Sequence, residues 1–100
     1  MNAKKRNGEV QPVFSTDSVL VPRVHNLNGH AVEVTYLGRS TDSKNTWILW
    51  NAQEPFLIGL LRQGKMGYVF EQRTSAGPIL HENLASQYVH KMIGAAARWR

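Results

Sequence analysis

The stretch HAVEVTYLG, residues 30–38, decides how the rest of this chain can fold. Its apolar side chains Val32, Val34 and Tyr36 alternate with polar ones. That alternation is the period-two pattern of a strand with one buried and one open face. The stretch therefore predicts a half-buried strand, and the neighbouring segments are interpreted by how they would pair with it.

A hairpin is predicted at the start of this strand. Asn28 and Gly29 separate two β-prone runs, and both residue types accept the positive φ of a type I′ turn. A two-residue turn there makes the numbers of opposite residues sum to 57, so His25 faces Val32 and Arg23 faces Val34.

The first strand of that hairpin is expected to span residues 18–26. In this register Val19 and Val21 share the core face with the apolar residues of 30–38. Pro22 has no N–H to donate to a ladder, so the strand is expected at a sheet edge or with the side of Pro22 unpaired.

The segment TWILW, residues 46–50, is apolar on both faces of a predicted strand. Trp47 and Leu49 lie on one face, and Ile48 and Trp50 lie on the other. A strand of this kind is covered on both sides or uses one face as a contact surface.

Two explanations of the second apolar face remain open. The N-terminal arm or the segment around Phe56 could cover it. Alternatively, one tryptophan anchors a partner, because Trp is enriched at binding hot spots, or it stacks on a nucleic-acid base.

The segment after Asn51 allows two predictions. Pro55 suits the first turn of a helix and Gly64 suits its end, so a helix over residues 55–63 is favoured. The alternative is a strand over residues 56–61 that turns near Gly64 into the next strand. Gly59 weakens both.

The C-terminal part is predicted as a strand, a break and a helix. Residues 67–73 form the strand, with Tyr68 and Phe70 inward, and residues 74–78 break the chain. A broad apolar stripe then predicts a helix over residues 83–98, capped by Asn83 or by Gly77 if it starts earlier. The stripe consists of Leu84, Ala85, Tyr88, Val89, Met92, Ile93 and Ala96.

The expected fold class is therefore α+β. An antiparallel sheet of four to five strands carries a C-terminal amphipathic helix on one face. Residues 1–17 are mostly polar and form a flexible basic arm, with Phe14 pinned to the body, and residues 18–100 form a single domain.

The charge of the chain is concentrated at its ends. Twelve basic and seven acidic residues give a net charge of +5 among 100 residues. Five of the basic residues lie within residues 4–6 and 98–100, and the remaining seven balance the seven acids. Basic tails attract phosphate without reading sequence, although such tails also serve simply to solubilise a protein.

Composition excludes some function classes. The chain has no cysteine, which excludes disulfides and thiolate metal sites and fits a reducing compartment. No apolar run reaches the roughly 18 residues of a membrane span. We therefore expect a cytoplasmic protein that has no membrane partner.

No catalytic or cofactor motif stands out. His25 and His30 would be diagonal neighbours on one face of the hairpin, but on that face their strands supply no carboxylate as a further metal ligand. His81 and Glu82 could act as acid and base, but no nucleophile accompanies them. No metal or other cofactor is therefore expected.

Three functional hypotheses follow. The first is a non-enzymatic DNA- or RNA-binding or accessory protein, and the second is a protein-interaction module or homo-oligomer that uses Trp47 and Trp50. The third is a small ribonuclease-like enzyme, because such enzymes can work with scattered His, Arg, Tyr and Lys. The candidate phosphate contacts of the first hypothesis are Lys4, Lys5, Arg6, Arg39, Lys44, Arg98 and Arg100.

Overall fold

The computed structural model describes residues 12–39 and 44–98. These ranges contain six strands and a helix: β1 (Arg23–Leu27), β2 (His30–Arg39), β3 (Asn45–Asn51), β4 (Leu57–Gln63), β5 (Tyr68–Thr74), β6 (Gly77–Leu84) and α1 (Ser86–Ala96). Each strand pairs antiparallel with the next along the chain. The predicted fold class is confirmed, with six strands instead of four or five.

The core lies on the face of the sheet that carries Trp47 and Phe70, which we call the inner face. Helix α1 packs there through Val89 and Ile93, whose side chains are fully buried. The opposite face of the sheet is called the outer face. Side chains alternate between the two, because successive residues of a strand point to opposite sides.

The predicted β1–β2 hairpin is confirmed in its register. Arg23 pairs with Val34 and His25 pairs with Val32. Asn28 and Gly29 have φ values of 53° and 84°, as a type I′ turn requires. The turn and the alternating apolar pattern specify the same register, so the two local signals agree.

The predicted start of the first strand was wrong. Strand β1 begins at Arg23, and Val19 and Val21 are 53% and 45% exposed instead of lying in the core. Pro22 cannot donate to the ladder, and Leu20 has a φ of 66° that bends the chain away from an extended path. One bond, from Leu20 N to the Tyr36 carbonyl oxygen, holds this segment to β2.

Residues 12–18 pack onto the inner face. Phe14 is 4% exposed and lies 6.2 Å from Trp47, ring centroid to ring centroid. The prediction that Phe14 is pinned to the body is confirmed. Residues 1–11 of the predicted arm lie outside the described residues, and the part of the arm that is described covers the inner face, not the outer one.

The favoured helix over residues 55–63 was wrong, and the alternative strand is present as β4. Leu57–Gln63 pairs with β3 on one side and β5 on the other, so it is a central strand. Gly59 suits this place because a Cβ there would lie 2.1 Å from the Glu71 carbonyl oxygen of β5. Pairing on both sides outweighs the local helical signals.

Strand β6 was missed, because residues 74–78 were interpreted as a break. Thr74 ends β5 and Gly77 begins β6, so the turn itself is only Ser75 and Ala76, and the Thr74 hydroxyl donates to the Gly77 carbonyl oxygen across it. Five of the eight β6 residues are exposed, including Ile79 and Leu80. An edge strand with so little burial lacks the apolar alternation that identifies a strand in sequence.

Helix α1 begins at Ser86 and ends at Ala96, inside the predicted 83–98. Its N-cap is Ala85, without a side-chain hydrogen bond, so neither Asn83 nor Gly77 caps it. Tyr88, predicted in the apolar stripe, is 52% exposed. Gly94, which is outside the predicted apolar stripe, is buried because the helix approaches the Leu27 carbonyl oxygen closely there.

Candidate functional site

The outer face carries an apolar strip across its central strands. Trp50 of β3 lies opposite Glu33 of β2 and Leu57 of β4. Along the same strands, Ile48 lies opposite Leu60. All four apolar side chains of the strip are half-buried, and both described segments that cover a sheet face, residues 12–18 and α1, lie on the inner side.

The charges beside this strip are sorted across the sheet. On β4 and β5, Glu71 is shared by two guanidinium groups, 3.9 Å from Arg62 and 3.6 Å from Arg73. On β2, Glu33 has no ion-pair or hydrogen-bond partner among residues 12–39 and 44–98. The β4–β5 side thus carries one surplus positive charge, and the β2 side carries one unmatched negative charge.

The structure separates the two tryptophans predicted to contact a partner. Trp47 is fully buried beside Phe14 and Tyr68, and its indole Nε1 donates to the Ser15 carbonyl oxygen at 3.0 Å. It cannot reach a partner while the core is intact. Trp50 is half-buried on the outer face and borders a shallow hollow together with Glu33 and Pro55.

A second feature is a group of cations at one end of the sheet, which we call the basic end. Arg39 closes β2 and Lys44 precedes β3, so both border the β2–β3 loop. Lys65 lies in the neighbouring β4–β5 turn, where the Lys44 side chain approaches Gly64 within 3.9 Å of a Cβ position. Arg62 is next to them, directly opposite Thr46.

The other predicted phosphate contacts are not brought to this end. Arg98 follows α1 at the opposite end of the sheet, where the Ala97 carbonyl oxygen accepts a bond from the Asn51 side chain. Lys4, Lys5, Arg6 and Arg100 lie outside the described residues. Within the described ranges, Arg39 and Lys44 are therefore the predicted contacts that the fold places together.

Sequence reasoning missed Lys65 and Leu60 as members of these surfaces. Both follow from strand β4: once Leu57–Gln63 is extended, Leu60 points outward and Lys65 falls in the turn beside the β2–β3 loop. The signal was present in the alternative that placed a strand and a turn here. The favoured helix would have put Leu60 in the core.

Two histidines, His25 and His90, pack against Phe14 on the inner side of the sheet. His25 meets the Phe14 ring edge-on at 5.2 Å, and His90 stacks on it at 5.0 Å. Burial lowers the pKa of His25 below its usual value of 6.5, and the neighbouring His90 and Arg23 lower this pKa further. A neutral imidazole suits that apolar contact.

The side chain of His81, predicted as an acid–base candidate, makes contacts within the sheet. Its ring stacks on Phe70 at 5.6 Å, and its Nε2 lies 2.9 Å from the Gln72 side-chain oxygen. In residues 12–39 and 44–98, no three His, Asp or Glu side chains converge where a metal ion could bind. The contacts of His81 with Phe70 and Gln72 therefore join β6 to β5.

Comparisons with known proteins add no identity. No protein-family model, no curated protein and no solved structure matches this chain. Helix α1, with 11 residues, is too short to cross a membrane, and the described parts of the chain contain no helix that could. The function is therefore argued from the outer face and the basic end alone.

Proposed function

We propose that this chain is a protein-interaction module whose outer face binds a protein partner, with Trp50 as the anchor. The observation that carries the proposal is the strip of Ile48, Trp50, Leu57 and Leu60 on a face that neither α1 nor residues 12–18 cover. An antiparallel sheet commonly turns a polar face to water, so an apolar face indicates a contact surface.

Several features support Trp50 as the anchor. Its neighbours across the strands are one carboxylate and one apolar side chain, Glu33 and Leu57. An aromatic side chain inside a strip of aliphatic ones, bordered by charges, resembles the centre and rim of known interfaces. The absence of cysteine supports a reducing compartment such as the cytoplasm as the place of this interaction.

Site-specific photo-crosslinking tests this function. A photoreactive amino acid at position 60 leaves Trp50 intact, and the same group at Gln87 reports on the exposed surface of α1. We expect a discrete protein adduct in the native cells from position 60 and not from position 87. Substitution Trp50→Ala should abolish the adduct.

A matched control separates the anchor from a general aromatic effect. Tyr88→Ala removes a large aromatic side chain that is 52% exposed on the helix, away from the outer face. We expect the adduct at position 60 to persist in this variant. Equal loss with both substitutions, or no adduct at position 60 at all, would contradict the proposal.

The basic end supports a second candidate, the binding of DNA or RNA. Arg39 and Lys65 are exposed beside Lys44 at the same end of the sheet, and a cluster of cations attracts phosphate independently of sequence. The outer face lacks the positive excess that nucleic acid requires, since three acids there, Glu33, Glu71 and Glu82, stand against two arginines. The end of the sheet is therefore the better contact for a polyanion.

A salt series tests this second candidate. Binding to generic DNA and RNA should weaken steeply as ionic strength rises, and the double substitution Arg39→Gln/Lys65→Gln should lower the log–log slope by about 2. Removal of residues 1–6 should lower it further. Lys91→Gln, an exposed lysine of α1, is the control. Undetectable or salt-insensitive binding would end this hypothesis.

A further inference from the structure

We propose that the partner on the outer face is a second copy of this chain, stacked face to face about a two-fold axis that runs along the strands between β3 and β4. This inference rests on the proposed function, because it names the occupant of the same surface. The order of the strands, the positions of the charges and the apolar rows between them support a second copy as the partner.

The symmetry fixes which strands meet. A two-fold axis between β3 and β4 lays β3 of one copy over β4 of the other and β2 over β5, because the strands lie in chain order. Such an interface is self-complementary, so each contact occurs twice. Closely aligned strands are also the usual arrangement of two packed sheets.

This arrangement brings opposite charges together. Glu33 pairs with Trp50 and Trp50 pairs with Leu57, so these three residues lie at one level of the sheet. Glu71 pairs with Leu60, so Arg73, two residues further along the same face of β5, lies about level with Leu57. Rotation about the axis therefore places Glu33 over Arg73 of the second copy. The carboxylate that has no partner within the described ranges thus meets strands β4 and β5, where two guanidinium groups share one carboxylate.

The apolar rows match under the same rotation. Trp50 lies over Leu57 of the second copy, and Ile48 lies over Leu60 of the second copy. A row of large side chains thus meets a row of the same character, twice, with the charged pairs outside it. Apolar contacts at the centre and ion pairs at the rim are the usual anatomy of a stable interface.

The size of the face is adequate. Six strands about 4.8 Å apart and about seven residues long cover roughly 650 Å² in projection, which approaches the roughly 800 Å² per partner that specific interfaces bury. On the outer face, Glu33, Glu71 and Glu82 stand against Arg62 and Arg73, so the face has no positive excess. A charge-sorted face of this kind suits a copy of itself better than a polyanion.

Charge reversal tests the pairing directly. In Glu33→Arg the introduced guanidinium would meet Arg73 of the second copy, and in Arg73→Glu two carboxylates would meet, so both variants should dissociate. An equimolar mixture of the two variants allows a mixed dimer in which one of the two contacts joins Glu33 to Arg73 and the other joins the two introduced, opposite charges. We expect light scattering at low ionic strength to give a dimer for the wild type and no dimer for either variant alone.

The mixture has a different expected result from the single variants, because the mixed dimer contains one copy of each variant. The contact between the two introduced side chains pairs a guanidinium with a carboxylate, in reversed order, while the other contact keeps Glu33 and Arg73 in their original places. Both contacts are therefore attractive, and dimerisation should be restored. Failure of the mixture to dimerise would overturn the proposed register.

In each single variant the dissociation constant of the dimer should rise by at least about tenfold, since each unfavourable contact occurs twice. Asp17→Arg and Lys91→Glu change the charge equally at exposed positions away from the outer face and should leave the dimer intact. Circular dichroism is the control that should show each variant to be folded. Dissociation by these control variants as well would show that net charge, and not the pairing, governs assembly.

The outcomes separate this inference from the function on which it rests. A monomeric wild type at every concentration, with a position-60 adduct to a different protein, would overturn the second copy as occupant but support an interaction module. An intramolecular adduct to residues 1–11 would overturn both. A position-60 adduct between two copies, together with rescue by the mixture, supports both.

Discussion

The indole Nε1 of Trp47 donates a hydrogen bond of 3.0 Å to the carbonyl oxygen of Ser15, 32 residues earlier in the chain. This bond satisfies the polar atom of the largest fully buried side chain and fixes residues 12–18 against the inner face. Phe14 follows the same path into the core, between His25 and His90. The core is therefore closed from one side by a segment outside the sheet and helix.

Removal of Phe14 should be strongly destabilising. Phe14→Ala should lower the free energy of unfolding by about 3 kcal/mol or more, because it leaves a cavity among buried rings. Val19→Ala, at a side chain that is 53% exposed, should change it by less than about 0.5 kcal/mol. Urea unfolding measures both. Similar values would mean that Phe14 does not contribute to the core.

The hydroxyl of Tyr68 should contribute a measurable part of this closure. The Val13 N–H donates to it at 3.0 Å, so Tyr68→Phe leaves that donor without its partner and should cost about 1 kcal/mol. Tyr88→Phe removes an exposed hydroxyl for comparison and should have almost no effect. Urea titration measures the free energy of unfolding of both variants. An equal cost in the two variants would exclude a contribution from the Val13–Tyr68 bond.

Alanine substitution should cost different amounts of stability at Gly59 and Gly77, because the two sites differ in the space around them and not in the sign of φ. Both Gly59 and Gly77 have positive φ, 157° and 117°, but a Cβ at Gly59 would lie 2.1 Å from the Glu71 carbonyl oxygen, whereas Gly77 faces open space. We expect Gly59→Ala to cost about 3 kcal/mol or more and Gly77→Ala about 1 kcal/mol. A larger cost at Gly77 would contradict the close approach of β4 and β5.

Gly94 should reverse the usual effect of alanine in a helix. Alanine is normally better there by about 1 kcal/mol, but a Cβ at Gly94 would lie 2.7 Å from the Leu27 carbonyl oxygen. We expect Gly94→Ala to destabilise the protein by about 2 kcal/mol. Ala95→Gly, at the exposed next position, should cost about 1 kcal/mol from propensity alone. Stabilisation by Gly94→Ala would refute this packing of α1.

Acid should weaken the fold through His25. Burial lowers the pKa of His25 in the folded chain, so the unfolded chain binds a proton more readily. The contribution of His25 is fully present above about pH 6.5 and is lost as the pH falls from there towards the lowered pKa. Thermal unfolding across this range should show the decline.

Substitution assigns the pH dependence to one imidazole. His25→Gln should flatten the decline, and His30→Gln controls for the loss of a histidine from the same hairpin. An equal flattening in the two variants would show that the pH dependence does not arise from burial beside Phe14.

The sequence predicts those parts of the fold whose local and global signals agree. The β1–β2 register follows from Asn28-Gly29, and the inward positions of Tyr68 and Phe70 follow from alternation. Alternation also places Trp47 and Trp50 on opposite faces, but the structure decides that Trp50 is the one outside the core. Of the candidate site, the sequence therefore provides the two candidates for the anchor but not its surroundings.

The remainder depends on contacts between distant residues. Pro55 and Gly64 are sound helix signals, but pairing of β4 with two neighbours makes the segment extended. Strand β6 is mostly exposed and leaves almost no apolar pattern to detect. Without these strands, the alignment of Glu33, Trp50 and Leu57 across the outer face could not be derived.

The chain-order arrangement of the six strands also bears on how the protein reaches its native state. Each hairpin joins adjacent segments, so the sheet can grow by short loop closures, which are fast. Docking of residues 12–18 beside α1 joins positions as far apart as Val13 and His90 and is expected last. A chain arrested before that step would expose Trp47, and newly made molecules at high concentration would then be liable to misassemble.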